Sequence, residues 1–155
     1  MNAVYAGSFD PFTIGHLHVL RQACQIFDKV YVAIAVNSEK NRRVDKDLMK
    51  EAIDRVIKNN GINNAEALVF NGLTVDLAIE KGARFLVRGL RNGTDYEYEE
   101  NLAVVNNKVS GIETIYFRAG KTAHISSSVV MELYNYGKDI TKWVPEEIIA
   151  VLPKK

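Results

Sequence analysis

Residues 30–36 read Val-Tyr-Val-Ala-Ile-Ala-Val, an unbroken run of β-branched and apolar side chains. A strand with one wet face alternates apolar and polar residues. A run without that alternation belongs to a strand covered on both faces, the condition met in parallel sheets. Upstream, Leu17, Leu20, Cys24 and Phe27 recur at helical spacing and predict a helix over 16–27, preceded by a short strand over 3–6. Downstream, Leu48, Met49, Ala52, Ile53, Val56 and Ile57 predict a second helix, stopped by Asn59-Asn60-Gly61.

The alternation then continues to the end of the chain. Strands are predicted over 67–70, 85–87 and 113–117, and helices over 75–80, 98–109 and 127–136. A short closing helix over 145–152 carries Pro145 in its first turn. This order predicts one α/β domain over 1–155: a doubly wound, Rossmann-like parallel sheet of about five strands with helices on both faces. In such sheets ligands bind beyond the carboxyl ends of the strands. The loops to inspect therefore begin near Gly7, Asn37, Asn71, Arg88 and Arg118.

Composition narrows the classes. With 47% hydrophobic and 25% charged residues the 155-residue chain is an ordinary globular sequence, and nothing in its net charge of +1 suggests a generic nucleic-acid or membrane-surface binder. Cys24 is the only cysteine, which excludes an internal disulfide framework and a cysteine-based zinc cluster. No apolar stretch approaches the ~20 residues of a membrane span, and the N-terminus lacks the pattern of a secretory signal, so a cytoplasmic location is expected.

Three strand-end stretches carry chemistry. Gly7-Ser8-Phe9-Asp10-Pro11-Phe12-Thr13-Ile14-Gly15-His16 joins a strand to a helix, offering a flexible glycine, a hydroxyl and a helix start suited to an anion. A plain turn with a capped helix and a packed histidine explains it almost as well. Arg88-Gly89-Leu90-Arg91 is read as two arginines flanking a glycine turn, and bidentate guanidinium groups suit phosphate. The bland alternative is a pair of surface arginines neutralised by the acidic residues Asp95, Glu97, Glu99 and Glu100. Ile125-Ser126-Ser127-Ser128 stands at a helix start, where serines either cap the helix or bind a phosphate.

Taken as patterns, these stretches resemble a known family. G-S-F-D-P-F-T-I-G-H resembles the T-x-G-H form of the nucleotidyltransferase signature, with Thr13 and His16 at its phosphate-contacting positions. R-G-L-R-x3-D-Y-E-Y-E resembles the stretch characteristic of bacterial phosphopantetheine adenylyltransferases, and I-S-S-S matches the superfamily's third signature. Lys40, four residues past the second strand, falls where that family has a phosphate-binding lysine. The matches run from Gly7 to Ser128. The sequence departs from the family at His18, usually Asp, and at residues 41–49, usually K-P-x-F-[ST]-x-E-E-R. It also departs at residues 105–109 and at Asn135.

The resemblance implies adenylyl transfer from ATP to 4′-phosphopantetheine, giving dephospho-coenzyme A and pyrophosphate. It implies catalytic roles for His16, Lys40 and Arg88. It implies an ATP site made of Ser8, Phe9, His16, Gly89, Leu90, Arg91, Glu99, Thr122, Ala123, His124, Ile125, Ser126, Ser127 and Ser128. Phosphopantetheine would meet Ser8, Lys40, Leu73, Thr74 and Arg88. Mg²⁺ is expected to arrive with ATP, without a dedicated protein metal site; a homohexamer and feedback by coenzyme A are family expectations.

Three rivals stay in view. Nicotinamide-mononucleotide adenylyltransferases and cytidylyltransferases of the same superfamily typically carry a histidine where this chain has Thr13. A P-loop is suggested by Gly120-Lys121-Thr122, but the glycine required five residues earlier is Ile115. A non-catalytic nucleotide-binding module would explain the fold but not the clustering of His16, Lys40, Arg88 and Arg91 on strand-end loops.

Overall fold

Ala3 and Tyr5 point to one side of the first strand, Val4 and Ala6 to the other, and all four are buried. A strand with two dry faces has to lie inside a sheet that is covered on both sides. The computed structural model describes residues 1–154; Lys155, the last residue of the expected domain, lies outside them. The strands are β1 (Asn2–Gly7), β2 (Lys29–Ala35), β3 (Ala65–Phe70), β4 (Ala83–Leu90) and β5 (Glu113–Arg118). All are parallel, in the order β3-β2-β1-β4-β5. The doubly wound α/β expectation holds.

The helices are α1 (Ile14–Ile26), α2 (Lys46–Asn59), α3 (Thr74–Glu80), α4 (Gly93–Ser110), α5 (Ser127–Asn135) and α6 (Glu146–Ile149). Residues of α1, α2, α5 and α6 share the larger core with Ala3, Tyr5, Val30, Val32, Ile34 and Val87. Residues of α3 meet Val4, Ala6, Ala33 and Leu86 on the opposite face. Among the described residues no helix is long and apolar enough to cross a membrane.

Two of the boundaries that differ from the sequence expectation matter for the site. Strand β4 runs on to Leu90 because β5 pairs with it to the end: Arg88, Gly89 and Leu90 lie in register with Tyr116, Phe117 and Arg118. Gly89 therefore occupies a strand, not a turn. Its value is lack of bulk: a Cβ there would stand 2.9 Å from Cγ2 of Val19, a buried residue of α1. The glycine lets α1 settle directly onto β4.

Helix α4 starts at Gly93, five residues earlier than expected at Tyr98. Asn92 caps it, its side chain accepting from the Asp95 N–H at 3.0 Å, and Gly111 closes it at φ 72°. The acidic stretch after the arginines is thus helical. Asp95 and Glu99, four apart, stack on one face of α4. On another face, Tyr98, Leu102, Val105 and Val109 form an exposed apolar stripe at helical spacing. The closing helix is also shorter than expected, with Pro145 as its cap.

The Gly89–Val19 approach leads to a first prediction. Gly89→Ala forces the stiff, buried Val19 side chain aside and should lower folding stability by about 1–3 kcal/mol in denaturant unfolding. An unchanged midpoint would show that α1 and β4 have room to separate.

Candidate active site

The strand order reverses between β1 and β4, so the loops leaving these two strands diverge and leave a crevice beyond their carboxyl ends. A cavity of about 320 Å³ occupies it. Its walls are the β1–α1 loop, the end of β4, the face of α4 carrying Asp95 and Glu99, and the start of α5.

Within the β1–α1 loop, Thr13 caps α1 and forms a reciprocal box with His16. The Thr13 N–H donates to His16 Nδ1 at 2.9 Å, and the His16 N–H donates to Thr13 Oγ1. Because a backbone N–H can only donate, Nδ1 is the acceptor and the ring's proton sits on Nε2. The ring packs edge-on against Phe9 and beside Phe12, with centroids 5.0 and 5.4 Å away. Phe9 is itself buried, with its backbone at φ 44°. A bulky residue in the left-handed region is strained by about 1–2 kcal/mol and persists only where its surroundings hold it. Desolvation, reinforced by the charges of Arg88 and Arg91, pushes His16 down from 6.5 to about 3. At neutral pH the cavity wall therefore carries a neutral imidazole that can act as a hydrogen-bond donor.

Arg88 reaches from β4 into a bidentate pair with Glu99, both contacts at 2.7 Å, and Nη1 donates to the carbonyl of Ala6 on β1. Arg91 pairs with Asp95 at 3.0 Å. The bland reading of the sequence, arginines neutralised by nearby acids, describes these contacts. Both pairs nonetheless line the cavity, and each arginine keeps N–H donors beyond those spent on its carboxylate. Burying an ion pair costs desolvation energy that a hydrophobic pair would not incur, so its presence at a crevice points to function rather than stability.

The three serines divide their work. Ser126 caps α5 by accepting from the Val129 N–H, Ser127 donates to the carbonyl of Pro11, and Ser128 accepts from Arg43. Residues 42–44 form a strap along the β1–α1 loop. The Arg43 and Val44 N–H groups donate to the Asp10 carboxylate, at 2.8 and 2.9 Å, and Arg42 donates to the carbonyl of Ser8. In the sequence this segment stands out only as a departure from the family pattern. Its one local signal was the adjacent pair of arginines.

The cavity thus gathers Ser8, Phe9, His16, Arg88, Gly89, Arg91, Glu99, Thr122, Ile125, Ser126, Ser127 and Ser128. Leu90, Ala123 and His124 adjoin these in sequence but do not line it; His124 borders a small separate cavity with Trp143. Thr74 lines a neighbouring cavity of about 90 Å³ that shares Ala6, Arg88 and Glu99 with the main one. Leu73 is exposed beside it. Lys40 lies on an exposed turn after β2 and lines none of the three. Among the described residues no group of three or more His, Cys, Asp or Glu is placed to hold a metal ion.

Comparison with known proteins places the chain in a family. The cytidylyltransferase-like family model matches residues 4–133. The phosphopantetheine adenylyltransferase of Lachnoclostridium phytofermentans is 41% identical over 154 residues, covering 98% of this chain and 93% of the relative. The chain belongs to the phosphopantetheine adenylyltransferase family. That of Cytophaga hutchinsonii is 39% identical over 148 residues, covering 94% of this chain and 97% of the relative. The solved structure of Plasmodium falciparum nicotinic acid mononucleotide adenylyltransferase, complexed with NaAD, superposes with a TM-score of 0.69 over 97% of this chain and 93% of its own. At 17% identity that likeness concerns the fold.

The held-neutral imidazole predicts a pH response. Between about 6.5 and about 3 the unfolded chain binds a proton that folded His16 refuses, so folding stability falls as pH drops through that window. In NMR titration of the free protein the His16 ring should remain neutral through pH 6.5. A midpoint near 6.5 would contradict the packing described here.

Proposed function

We propose that this chain transfers the adenylyl group of ATP to 4′-phosphopantetheine, forming dephospho-coenzyme A and pyrophosphate. The observation that carries the reading is His16: a neutral imidazole donor on the wall of a switch-point cavity, flanked by Arg88, Arg91 and the start of α5. It is supported by near-full-length identity to relatives that bear this activity in their names.

The chemistry asks little of the protein beyond placement and charge. A phosphate oxygen of phosphopantetheine attacks the α-phosphorus of ATP, a P–O bond forms, and the bond to the β-phosphate oxygen breaks to release pyrophosphate. The attacking monoester is already anionic, so no covalent intermediate and no strong base are required. The His16 Nε2–H hydrogen-bonds the α-phosphate as charge develops there. Arg88, spanning both cavities, holds the attacking phosphate with Ser8. Arg91 and Ser126–Ser128 hold the phosphates that leave, Gly89 lies against the nucleotide, and Glu99 fixes Arg88 and the nucleotide. Thr74 and Leu73 border the pantetheine arm. Lys40 is assigned to the attacking phosphate from its motif position. Mg²⁺ comes as part of the ATP substrate. The cavity's two carboxylates, Asp95 and Glu99, are engaged by arginines, and no protein cage for the ion is proposed.

The unit that acts is the whole chain, residues 1–155, working in the cytoplasm under feedback by coenzyme A. We assign it a homohexameric assembly in which the apolar stripe of α4 is covered by a second copy. Leu102→Glu with Val105→Glu should lower the assembly state in sedimentation; an unchanged state would place the contact elsewhere.

The direct test is pyrophosphate release from ATP with phosphopantetheine, nicotinamide mononucleotide or glycerol 3-phosphate offered separately. Release with phosphopantetheine alone is expected, and release only with another acceptor overturns the substrate assignment. His16→Ala should lower kcat by ~10²–10³, the worth of one transition-state donor; near-normal turnover would remove His16 from the chemical step. Lys40→Ala should chiefly weaken phosphopantetheine binding, and unchanged affinity would take Lys40 out of the site.

A further inference from the structure

The arginines that the motif supplies arrive already neutralised. Arg88 is matched by Glu99 and Arg91 by Asp95, each in direct contact, while His16 is uncharged. These groups alone give the cavity donors but no net charge with which to attract a triphosphate. Two further guanidinium groups lie on the strap. Arg42 lies 3.7 Å from Asp10, itself buried, and so takes up the one further carboxylate of the β1–α1 loop.

Arg43 makes no ion pair among the described residues. Its side chain donates only to neutral acceptors, the Asp10 carbonyl at 2.9 Å and Ser128 Oγ at 3.2 Å, and it is otherwise exposed. Ser128 lines the main cavity. Four guanidinium groups therefore stand against three carboxylates around the crevice, and Arg43 is the one left without a carboxylate of its own.

We propose that Arg43 is a phosphate-binding residue of the ATP site, holding the end of the triphosphate that leaves as pyrophosphate. The proposal rests on the adenylyl-transfer reading for which phosphates leave, and it adds a residue outside the family's motif pattern. A guanidinium has five N–H donors, of which Arg43 spends two on neutral partners. A phosphate oxygen is a far stronger acceptor than a hydroxyl, so a terminal phosphate at the start of α5 displaces or joins Ser128. Its contact with the Asp10 carbonyl keeps the side chain over the rim while it exchanges partners. Because the charge is uncompensated before ATP arrives, it adds net positive charge that the paired Arg88 and Arg91 do not.

The test compares ATP, pyrophosphate and AMP binding by calorimetry in the wild-type protein and in Arg43→Ala, Arg43→Gln and Arg43→Lys. Loss of a charge-assisted contact should weaken ATP and pyrophosphate about 10-fold or more in the Ala and Gln variants. AMP should be unchanged, and Lys should recover part of the loss. The KM for phosphopantetheine should not move. If ATP and AMP weaken by one common factor, Arg43 is only a structural strap and the proposal is overturned; unchanged ATP binding overturns it too. Should Arg43→Ala unfold, Arg43→Gln, which keeps a donor for Asp10, gives the same comparison. An ATP-specific loss in a protein that adenylylates a different acceptor would sustain Arg43 while removing phosphopantetheine as the substrate.

Discussion

One guanidinium joins the three elements that make the crevice. Arg88 stands at the end of β4, grips Glu99 of α4 with two parallel hydrogen bonds and donates to the carbonyl of Ala6 at the end of β1. A planar fork held at three points loses its freedom before any ligand arrives, so its donors cost little to order later. The contact ties α4 to the sheet and forms the wall shared by the two cavities.

Around it, each part of the site is held by packing rather than by chain stiffness. Gly89 allows α1 to lie on β4, which brings the helix start and His16 alongside Arg88. The Thr13–His16 box then selects the ring tautomer, and the aromatic contacts of Phe9 and Phe12 set its orientation. The low dielectric that keeps the imidazole neutral also strengthens each hydrogen bond it makes. Opposite, the strap at residues 42–44 is bound to the β1–α1 loop through the Asp10 carboxylate, and α5 is bound through Ser127 to Pro11. The rim therefore behaves as one connected network of polar contacts, with Arg43 as its uncompensated charge.

Much of this was legible in the residues. The unbroken apolar run at 30–36 announces a doubly covered parallel strand, and the helix periodicities around it announce the α/β order. Gly7–His16, Arg88–Arg91 and Ser126–Ser128 were recognisable because each is a local pattern at a strand end or a helix start. The misplaced boundaries have two causes, one tertiary and one local. Where β4 stops is decided by how far β5 pairs with it, and where α4 starts is decided by the Asn92 cap, so the glycine of R-G-L-R looked like a turn when read alone.

What the sequence by itself determined is the set of elements and the chemical kinds of group at their ends, since periodicity, caps and motifs are properties of neighbouring residues. Only the tertiary structure decided which charges cancel. Arg88 meets Glu99 eleven residues away, Arg42 faces Asp10 across thirty-two, and Arg43 reaches Ser128 across eighty-five. Coulomb energy depends on distance through space and on exclusion of water, and neither is written in the order of residues along the chain.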